Sequence, residues 1–207
     1  MMTLSVPSSA KKRSPKPVPR LGRDDWLDAA FNAVVEGGFD AVRVLSLAQT
    51  LGVTRGSFYW HFTDHADLVA ALLARWRERE LDSGRTLKYD PSKTAQAELE
   101  RVLDFALAHA GADLENMRFE LALRGLGRRD VGVATMLAEI DQTRLKLFEH
   151  RFERLTGDPK VAVDLAALFY LAIVGSYQAL ARPNNPAQLE SYLKGLIAQY
   201  VIRRPSS

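Results

Sequence analysis

Residues 44–62, VLSLAQTLGVTRGSFYWHF, place hydrogen-bonding side chains on the outer side of a short predicted helix. Phe58 and Phe62 lie four residues apart, so they share one apolar helix face that must pack against a core. A buried face opposite a face of hydrogen-bonding groups is typical of a helix-turn-helix, whose second helix enters the major groove of DNA. The chemistry predicted here is therefore nucleic-acid recognition. The positions left for the outer face are Arg55, Gly56, Ser57, Tyr59, Trp60 and His61.

The residues before this helix predict the elements that orient it. Gly52 stands where the end of a helix requires a left-handed backbone. Val53 is apolar and fills the angle between the two helices, and Thr54 is a suitable N-cap for the second helix. The first helix of the motif has one apolar face at helical spacing, which consists of Val44, Leu47, Ala48 and Leu51.

Two further helices frame the motif. Residues 24–36 carry apolar side chains at helical spacing and end at two consecutive glycines. Asp64, with Asp67 three residues later, predicts the start of a fourth helix that reaches about residue 82. We therefore expect a helix-turn-helix DNA-binding domain over residues 22–66, joined by the fourth helix to a second domain over residues 83–207.

The second domain shows helical periodicity throughout. No segment alternates apolar and polar residues with the period of two that a half-buried β-strand requires. The chain is thus predicted to be all-α, with a three-helix N-terminal domain and a larger C-terminal helical domain. The helices predicted for the second domain cover residues 95–110, 114–125, 131–155, 161–181 and about 189–201.

The last two predicted helices carry an unusually large apolar surface. Residues 161–181 are apolar nearly all round, and residues 189–201 carry a wide apolar stripe. One explanation is that both helices pair with their copies across a twofold axis as a four-helix bundle. The other is that both are internal core of a monomer. The residues predicted to form the dimer interface are Leu165, Leu168, Ala172, Gly175, Tyr192, Leu196 and Tyr200.

The composition excludes several classes of site. Apolar residues make up 47% of the 207 residues, which is enough for a real core. The chain has no cysteine, which removes disulfides, thiol nucleophiles and cysteine zinc sites and fits a reducing cytosol. The longest uncharged run, residues 165–181, is shorter than the ~20 residues that span a bilayer. Because the basic N-terminus is followed by prolines rather than an apolar run, we expect no secretory signal and a cytoplasmic location.

The charge is unevenly distributed along the chain. The net charge is +3, but residues 1–23 hold six basic groups and no acid, so the remaining 184 residues sum to −3. The prolines of this segment predict a disordered basic arm over residues 1–21. Such an arm next to a DNA-reading unit adds phosphate or minor-groove contacts driven by counterion release. The alternative is a tail that only improves solubility.

Several segments together resemble the tetracycline-repressor (TetR) family of transcriptional regulators. The resemblance is carried by AAFNAVVEGGFDA and LAQTLGVTRGSFYWHFTDHADLVAALL within residues 24–75, and more weakly by ELALRGLGRRD. It implies an all-helical homodimer with a short DNA-binding domain and a larger C-terminal domain for effector binding and dimerisation. The same resemblance implies binding to a palindromic operator on double-stranded DNA. It also implies a repressor that a small molecule in the larger domain releases from the operator by shifting the separation of the two reading heads.

The resemblance assigns roles to individual residues of the motif. Arg55 corresponds to a residue that reaches a base edge, where Arg bonds guanine through two N–H groups, and Gly56 lets the helix backbone approach closely. Ser57 and Tyr59 correspond to contacts with phosphate or a thymine methyl, and His61 to a phosphate contact. Trp60 either packs on the sugar–phosphate edge or lies against the first or fourth helix. The full set of predicted DNA contacts is Arg43, Ser46, Thr54, Arg55, Gly56, Ser57, Tyr59, Trp60, His61 and His65.

Two positions depart from the family pattern. Members usually carry Lys where this chain has His65, at the N-terminus of the fourth helix, and a histidine loses the fixed charge near neutral pH. They usually carry Thr or Ser where this chain has Val42, so Arg43 and Ser46 must supply the contacts at the start of the second helix. Both changes predict a contact network with less fixed charge, for which the basic arm compensates.

An enzyme is the main alternative from a different class, and the sequence offers little for it. His61 and His65 have the i, i+4 spacing of metal ligands, but no third ligand has a matching position. The chain has no glycine-rich phosphate loop after a strand, no Gly-x-Ser-x-Gly and no paired-carboxylate motif. We therefore expect neither catalysis nor a metal or other cofactor.

The inward faces of the C-terminal helices are candidates for an effector pocket, although an aromatic stripe at helical spacing is more often plain core. The effector expected there is largely apolar or aromatic, and Arg118, Glu120 and Arg124 would decide whether it is ionic. A third possibility is a constitutive regulator, or one controlled by a protein partner. The residues predicted to line the pocket are Phe105, His109, Met117, Phe119, Leu123, Phe148, Phe152, Tyr170, Ile173 and Tyr177.

Overall fold

The structure is a computed structural model, and its regular elements are helical wherever it describes the chain. The predicted all-α fold is confirmed. No described helix is both long and apolar enough to cross a membrane. The residues that the structure describes are 21–86, 90, 92–95, 97, 98, 100, 101, 104, 114–178, 191, 192 and 195.

Seven helices have defined bounds, and a short 3-10 turn, Phe39–Ala41, follows the first of them. Most bounds differ from the sequence-based expectation by a few residues. The third helix ends at Phe58, before the outer-face residues Tyr59, Trp60 and His61, and the fourth begins at His65 and runs to Thr86 instead of ending at about residue 82. The helices are α1 (Arg23–Gly37), α2 (Val44–Thr50), α3 (Arg55–Phe58), α4 (His65–Thr86), α5 (Leu114–Gly127), α6 (Val131–Thr156) and α7 (Pro159–Gln178).

The first hydrophobic core extends beyond the predicted N-terminal domain. It contains buried residues of α1 to α4, but also Phe119 and Leu123 of α5 and Ile140 of α6. The Phe119 ring stacks on Phe31 with centroids 4.8 Å apart and lies 6.1 Å from Trp76. Two residues that we expected to line an effector pocket, Phe119 and Leu123, therefore join α1 and α4 to the C-terminal helices. Packing at this boundary was hidden from the sequence because all of these residues read simply as apolar helix faces.

A second core lies between α6 and α7. Phe148 and Phe152 of α6 pack against Phe169 of α7, with centroid separations of 5.0 Å and 6.3 Å. Tyr170 and Ile173 are buried in the same cluster. Four of the predicted pocket residues thus lie together in this core.

Charged side chains of three helices and a tyrosine of a fourth form a hydrogen-bonded cluster that we call the interhelix charge network. Its members are Glu80 of α4, Glu120 and Arg124 of α5, Asp141 and Arg144 of α6, and Tyr170 of α7. Arg144 donates to Glu80 at 2.6 Å and to Glu120 at 3.0 Å. Arg124 donates to Glu120 at 2.7 Å and to Asp141 at 2.8 Å. The Tyr170 hydroxyl donates to Asp141 at 2.6 Å. The network therefore ties α4, which follows the three N-terminal helices, to three helices of the C-terminal half.

Burial and pairing shift the pKa values of these groups in consistent directions. Burial alone would raise the pKa of Glu120, but the Arg144 and Arg124 guanidiniums outweigh it and hold that pKa below its ordinary value. The same competition, with Arg124 and the Tyr170 hydroxyl as partners, lowers the pKa of Asp141. Burial raises the pKa of Tyr170 to about 12. The Glu120 and Asp141 carboxylates are therefore ionised and the Tyr170 hydroxyl is neutral near pH 7.

Candidate nucleic-acid interface

The turn between α2 and α3 has the geometry that its sequence predicts. Gly52 has a φ of 67°, the left-handed backbone expected after a helix C-terminus. The Val53 amide donates to the Ala48 carbonyl at 2.9 Å, and the Val53 side chain packs against the first core. Thr54 occupies the N-cap position, but its side chain makes no capping hydrogen bond. Thr54 is therefore at the predicted N-cap position, but the turn depends on backbone bonds and on Val53 instead of a Thr54 side-chain bond.

An aromatic cluster fixes the inner face of α3. Phe58 is fully buried, and its ring meets Trp26 edge-on at 5.3 Å and Phe62 at 5.4 Å. Phe58 and Phe62 were predicted to face inward, whereas Trp26 was missed because it lies at the start of α1. Trp26 is followed by Ala29 and Ala30 at i+3 and i+4. This helical spacing is the sequence signal that could have identified Trp26 as a core residue. These contacts hold α3 at a fixed rotation, so its opposite side is directed outward.

The outward side of α3 is exposed. Tyr59 is 52% exposed and Trp60 is 87% exposed, so Trp60 packs on neither α1 nor α4. Arg55 and Gly56 are exposed as well, while Ser57 is half-buried. The nearest atom to a Cβ added at Gly56 would be the Thr54 hydroxyl oxygen, 3.7 Å away. The fold itself therefore has room for a larger side chain at this position.

The backbone after Phe58 tightens instead of continuing as α-helix. The Trp60 amide donates to the Ser57 carbonyl at 3.3 Å, and the His61 amide donates to the Phe58 carbonyl at 2.9 Å. These three-residue steps turn successive side chains by more than an α-helix does. They place Trp60 outward beside Tyr59 and leave His61 half-buried. The sequence could not reveal the change because no glycine or proline marks it.

Residues at the start of α2 lie on the exposed side of the motif. Arg43 and Ser46 are exposed, as their predicted role requires, and the Arg43 Nε donates to the Asp40 carbonyl at 3.3 Å. Val42, which stands where the family offers a hydroxyl, is buried in the first core. Leu45 is an exposed apolar residue that the sequence reasoning missed. It offers an apolar contact next to the polar ones.

His65 makes a contact that changes its predicted role. Its Nε2 lies 2.7 Å from the Val42 carbonyl oxygen. Because a carbonyl only accepts, Nε2 must carry the hydrogen, and in the neutral ring Nδ1 then carries none. A phosphate contact through Nδ1 therefore requires the protonated imidazolium. As for metal binding by His61 and His65, no group of three or more potential metal-binding side chains occurs in the part of the chain that the structure describes.

The N-terminus of α4 is capped by two aspartates. The Asp64 carboxylate accepts from the Asp67 amide at 2.9 Å, and the Asp67 carboxylate accepts from the Thr63 amide at 2.9 Å. The predicted pairing of these residues is confirmed, with the return bond shifted to Thr63. Nearby, the Arg23 guanidinium lies 4.8 Å from the centre of the Phe62 ring. Arg23, which was counted among the six N-terminal basic groups but given no role of its own, thus adds a cation beside the motif.

The apolar surface of α7 divides into a buried and an exposed side. Leu168 is 63% exposed and Leu171 is 68% exposed, and Gly175 lies exposed on the same side. Leu165, by contrast, is buried in the second core of its own chain, which corrects its assignment to the dimer interface. Ala172 is half-buried between the two sides.

The other predicted site residues are divided between described and undescribed parts of the chain. Met117 is buried on α5, and Tyr192 is 65% exposed. Tyr177 belongs to α7, but its side chain is not among those described. The predicted residues outside the described part of the chain are Phe105, His109, Leu196 and Tyr200, together with residues 1–20 of the arm.

Comparison with known sequences identifies the N-terminal segment. The family model described as "Bacterial regulatory proteins, tetR family" matches residues 27–72. The transcriptional regulator TtgR of Pseudomonas putida is 43% identical over 51 residues, 25% of this chain and 24% of TtgR. The class D tetracycline repressor protein of Escherichia coli is 28% identical over 109 residues, 49% of this chain and 50% of the repressor. The chain thus matches between a quarter and a half of the length of these relatives.

Solved structures resemble nearly the whole fold. A transcriptional regulator from a Rhodococcus species superposes with a TM-score of 0.68 at 18% identity, covering 89% of this chain and 100% of the other. A regulator from Saccharomonospora viridis, solved in complex with choline, superposes with a TM-score of 0.66 at 17% identity, covering 85% and 95%. Residues 27–72 thus match the tetR family of bacterial regulatory proteins, and the chain as a whole shares the helical fold of these solved transcriptional regulators.

Proposed function

We propose that the protein is a sequence-specific DNA-binding transcriptional regulator that binds a palindromic operator as a homodimer. The observation that carries the proposal is the outer side of α3. Arg55, Tyr59 and Trp60 project into solvent there, while Phe58 is fully buried behind them. A short helix anchored on aromatic rings and presenting an arginine has the width and the donors that the major groove accepts.

The exposed side of α7 supports the homodimer. Asp164, Leu168, Leu171 and Gly175 are spaced by four, three and four residues and are all exposed in the single chain. This spacing forms one helix seam, and a seam with two leucines and a glycine allows close packing of a second helix. A second copy of this chain presents the same seam, so a twofold axis covers both.

For regulation, we propose repression that a small, largely apolar effector relieves. Two relatives support this interpretation: one is named a tetracycline repressor protein, and one structural neighbour was solved in complex with choline. The interhelix charge network gives a physical route, because it connects α4 to the helices on which an effector would act. A regulator of the same fold without a small-molecule effector, or one controlled by a protein partner, is the alternative. An effector that leaves operator affinity unchanged at saturation would favour it.

The DNA-binding proposal is tested with the full chain and a library of random-sequence duplexes. Repeated selection is expected to enrich one palindromic sequence. Arg55→Ala should then lose about 1–3 kcal/mol of discrimination at one base pair of each half-site, because a bidentate contact with guanine is removed. Arg128→Ala, a change of the same kind at an exposed arginine remote from α3, serves as control. Binding without any sequence preference would contradict the proposal.

His65→Lys is expected to strengthen operator binding. Nε2 of His65 is already engaged by the Val42 carbonyl oxygen, whereas lysine places a fixed positive charge at the N-terminus of α4. The variant should bind more tightly and show a salt dependence steeper by about one phosphate contact. Fluorescence anisotropy at several salt concentrations measures both. An unchanged salt slope would show that this position does not face a phosphate.

The basic arm should strengthen binding through counterion release. Deleting residues 1–20 removes five of the six N-terminal cations. Operator affinity should fall, and the slope of log affinity against log salt should decrease by about 0.9 for each phosphate that the arm neutralises. Titrations at several salt concentrations measure the slope, with the substitution of Lys11, Lys12, Arg13 and Lys16 by serine as a variant of equal length. An unchanged slope would show that the arm is a passive tail.

A further inference from the structure

The outer side of α3 contains a side-chain pair that joins two of the predicted DNA contacts to each other. The Arg55 Nη2 donates to the Tyr59 hydroxyl at 3.1 Å, and the Arg55 guanidinium carbon lies 6.0 Å from the centre of the Tyr59 ring. The residues are four apart, so one helical turn brings their side chains together. Both are exposed, so the pair adds little to stability, and its main effect is on the direction of the guanidinium.

The Tyr59 ring is itself held in position by a contact on the core side of α3. It meets the Phe58 ring edge-on, with centroids 5.3 Å apart and the planes at 84°. Phe58 is fully buried and packs against Trp26. A continuous series of contacts therefore runs from the first core through Phe58 and Tyr59 to the tip of Arg55. The base of the Tyr59 ring is fixed by packing, while its hydroxyl remains at the surface.

The bond to Tyr59 leaves Arg55 able to read a base. A guanidinium has five N–H groups, and the tyrosine oxygen accepts one of the two on Nη2. Whichever of the two is donated, one edge of the guanidinium keeps a pair of parallel N–H groups for guanine O6 and N7. A free arginine on the surface would lose side-chain entropy when it binds. An arginine that is already held by a hydrogen bond loses less side-chain entropy. Because its direction is fixed, it also adapts less well to a base that does not match, so discrimination between bases increases.

We propose that Tyr59 is a positioning residue for base reading, which acts on specificity through Arg55 and not through a DNA contact of its own. This inference rests on the proposed function. It differs from the role that the family resemblance implies for Tyr59, which is direct contact with phosphate or a thymine methyl. The two roles are separable because a residue that acts through Arg55 has no effect on discrimination once Arg55 is absent.

The test is a double-mutant cycle on the full chain, with the palindromic duplex enriched by the wild-type protein as probe. The variants are Tyr59→Phe, Arg55→Ala and the combination of both. A second duplex carries a substitution at the base pair that Arg55→Ala no longer discriminates. Tyr59→Phe is expected to lower the ratio of the two affinities by about three- to ten-fold when Arg55 is present, as loss of one hydrogen bond predicts. In the Arg55→Ala background it is expected to change that ratio by less than about two-fold.

Three results distinguish the possibilities. If Tyr59→Phe weakens both duplexes equally and does so in the Arg55→Ala background as well, Tyr59 contacts the DNA backbone directly and the inference is overturned. An unchanged discrimination ratio in Tyr59→Phe would also overturn it. If the wild-type chain enriches no common sequence, the proposed function itself fails. Phenylalanine retains the ring contact with Phe58, so thermal unfolding of Tyr59→Phe should match the wild type and exclude a folding defect.

Discussion

Replacing Glu120 with alanine is expected to lower the free energy of unfolding by about 3 kcal/mol. Glu120 is buried and accepts hydrogen bonds from Arg124 at 2.7 Å and from Arg144 at 3.0 Å. Breaking a buried ion pair on one side typically costs about 3–5 kcal/mol, because the partner charge remains without compensation. The lower end applies here, since Arg124 keeps Asp141 and Arg144 keeps Glu80 as a second partner.

The same network should make the protein sensitive to acid. The pKa values of Glu120 and Asp141 are lower in the folded chain than their ordinary values of 4.5 and 3.8. A group with a lowered folded pKa contributes stability that is fully present above its unfolded pKa and is lost as the pH falls through the folded one. Unfolding free energy should therefore decrease as the pH is lowered below about 4.5, and decrease less steeply in the Glu120→Ala variant.

Urea unfolding at pH 7 and at acidic pH measures both effects. Glu139→Ala is the matched control, because Glu139 also pairs with an arginine, Arg77 at 2.6 Å, but the pair is exposed. Exposed pairs contribute little, so this variant should unfold like the wild type at pH 7. If Glu120→Ala and Glu139→Ala have the same stability, the network does not hold the helices together and the argument for its role fails.

The second large effect concerns the seam of α7. Replacing both Leu168 and Leu171 with glutamate should convert the protein to monomers and weaken operator binding by about 100-fold or more. The leucines are exposed in the single chain, so the substitutions leave the second core of the protomer intact. A monomer binds one half-site and loses the effective concentration that a linked second reading head provides. Four glutamates at a twofold axis repel one another and oppose close packing.

Light scattering gives the oligomeric state, and anisotropy with the selected duplex gives the affinity. Val131→Glu is the control, since Val131 is another exposed apolar residue, 83% exposed, at the N-terminus of α6. It receives the same chemical change outside the seam and should leave both readouts unchanged. A double variant that is still dimeric would place the dimer contact on another surface of the molecule.

The DNA-reading motif was predictable because its signals are local. The left-handed turn at Gly52 and the apolar pair Phe58 and Phe62 are separated by few residues, so periodicity and turn chemistry specify them. The end of α3 was not predictable in this way, because the switch to a tighter turn after Phe58 carries no glycine or proline. Trp26 was missed for a related reason: a tryptophan at a helix start also fits an exposed position.

The interhelix charge network was beyond sequence reasoning because its partners are far apart along the chain. Arg144 pairs with Glu120 at a separation of 24 residues and with Glu80 at 64. Each residue alone reads as an ordinary charge on the outer face of a helix. The His65 contact with Val42, 23 residues away, was hidden for the same reason. Long-range polar pairing depends on how helices cross, which local patterns do not specify.

The stacking of Phe119 on Phe31 has a consequence for exchanging reading heads among relatives. A chimera cut after residue 66 or residue 82 would take α1 from one parent and α5 from the other, and would pair rings that were never fitted to each other. In a closely packed interior, even a side chain of similar volume but different shape lowers stability. A graft that is meant to transfer operator preference should therefore carry the facing surface of α5 along with the first four helices. The N-terminal helices of this molecule are thus exchangeable only together with the part of the C-terminal half on which they pack.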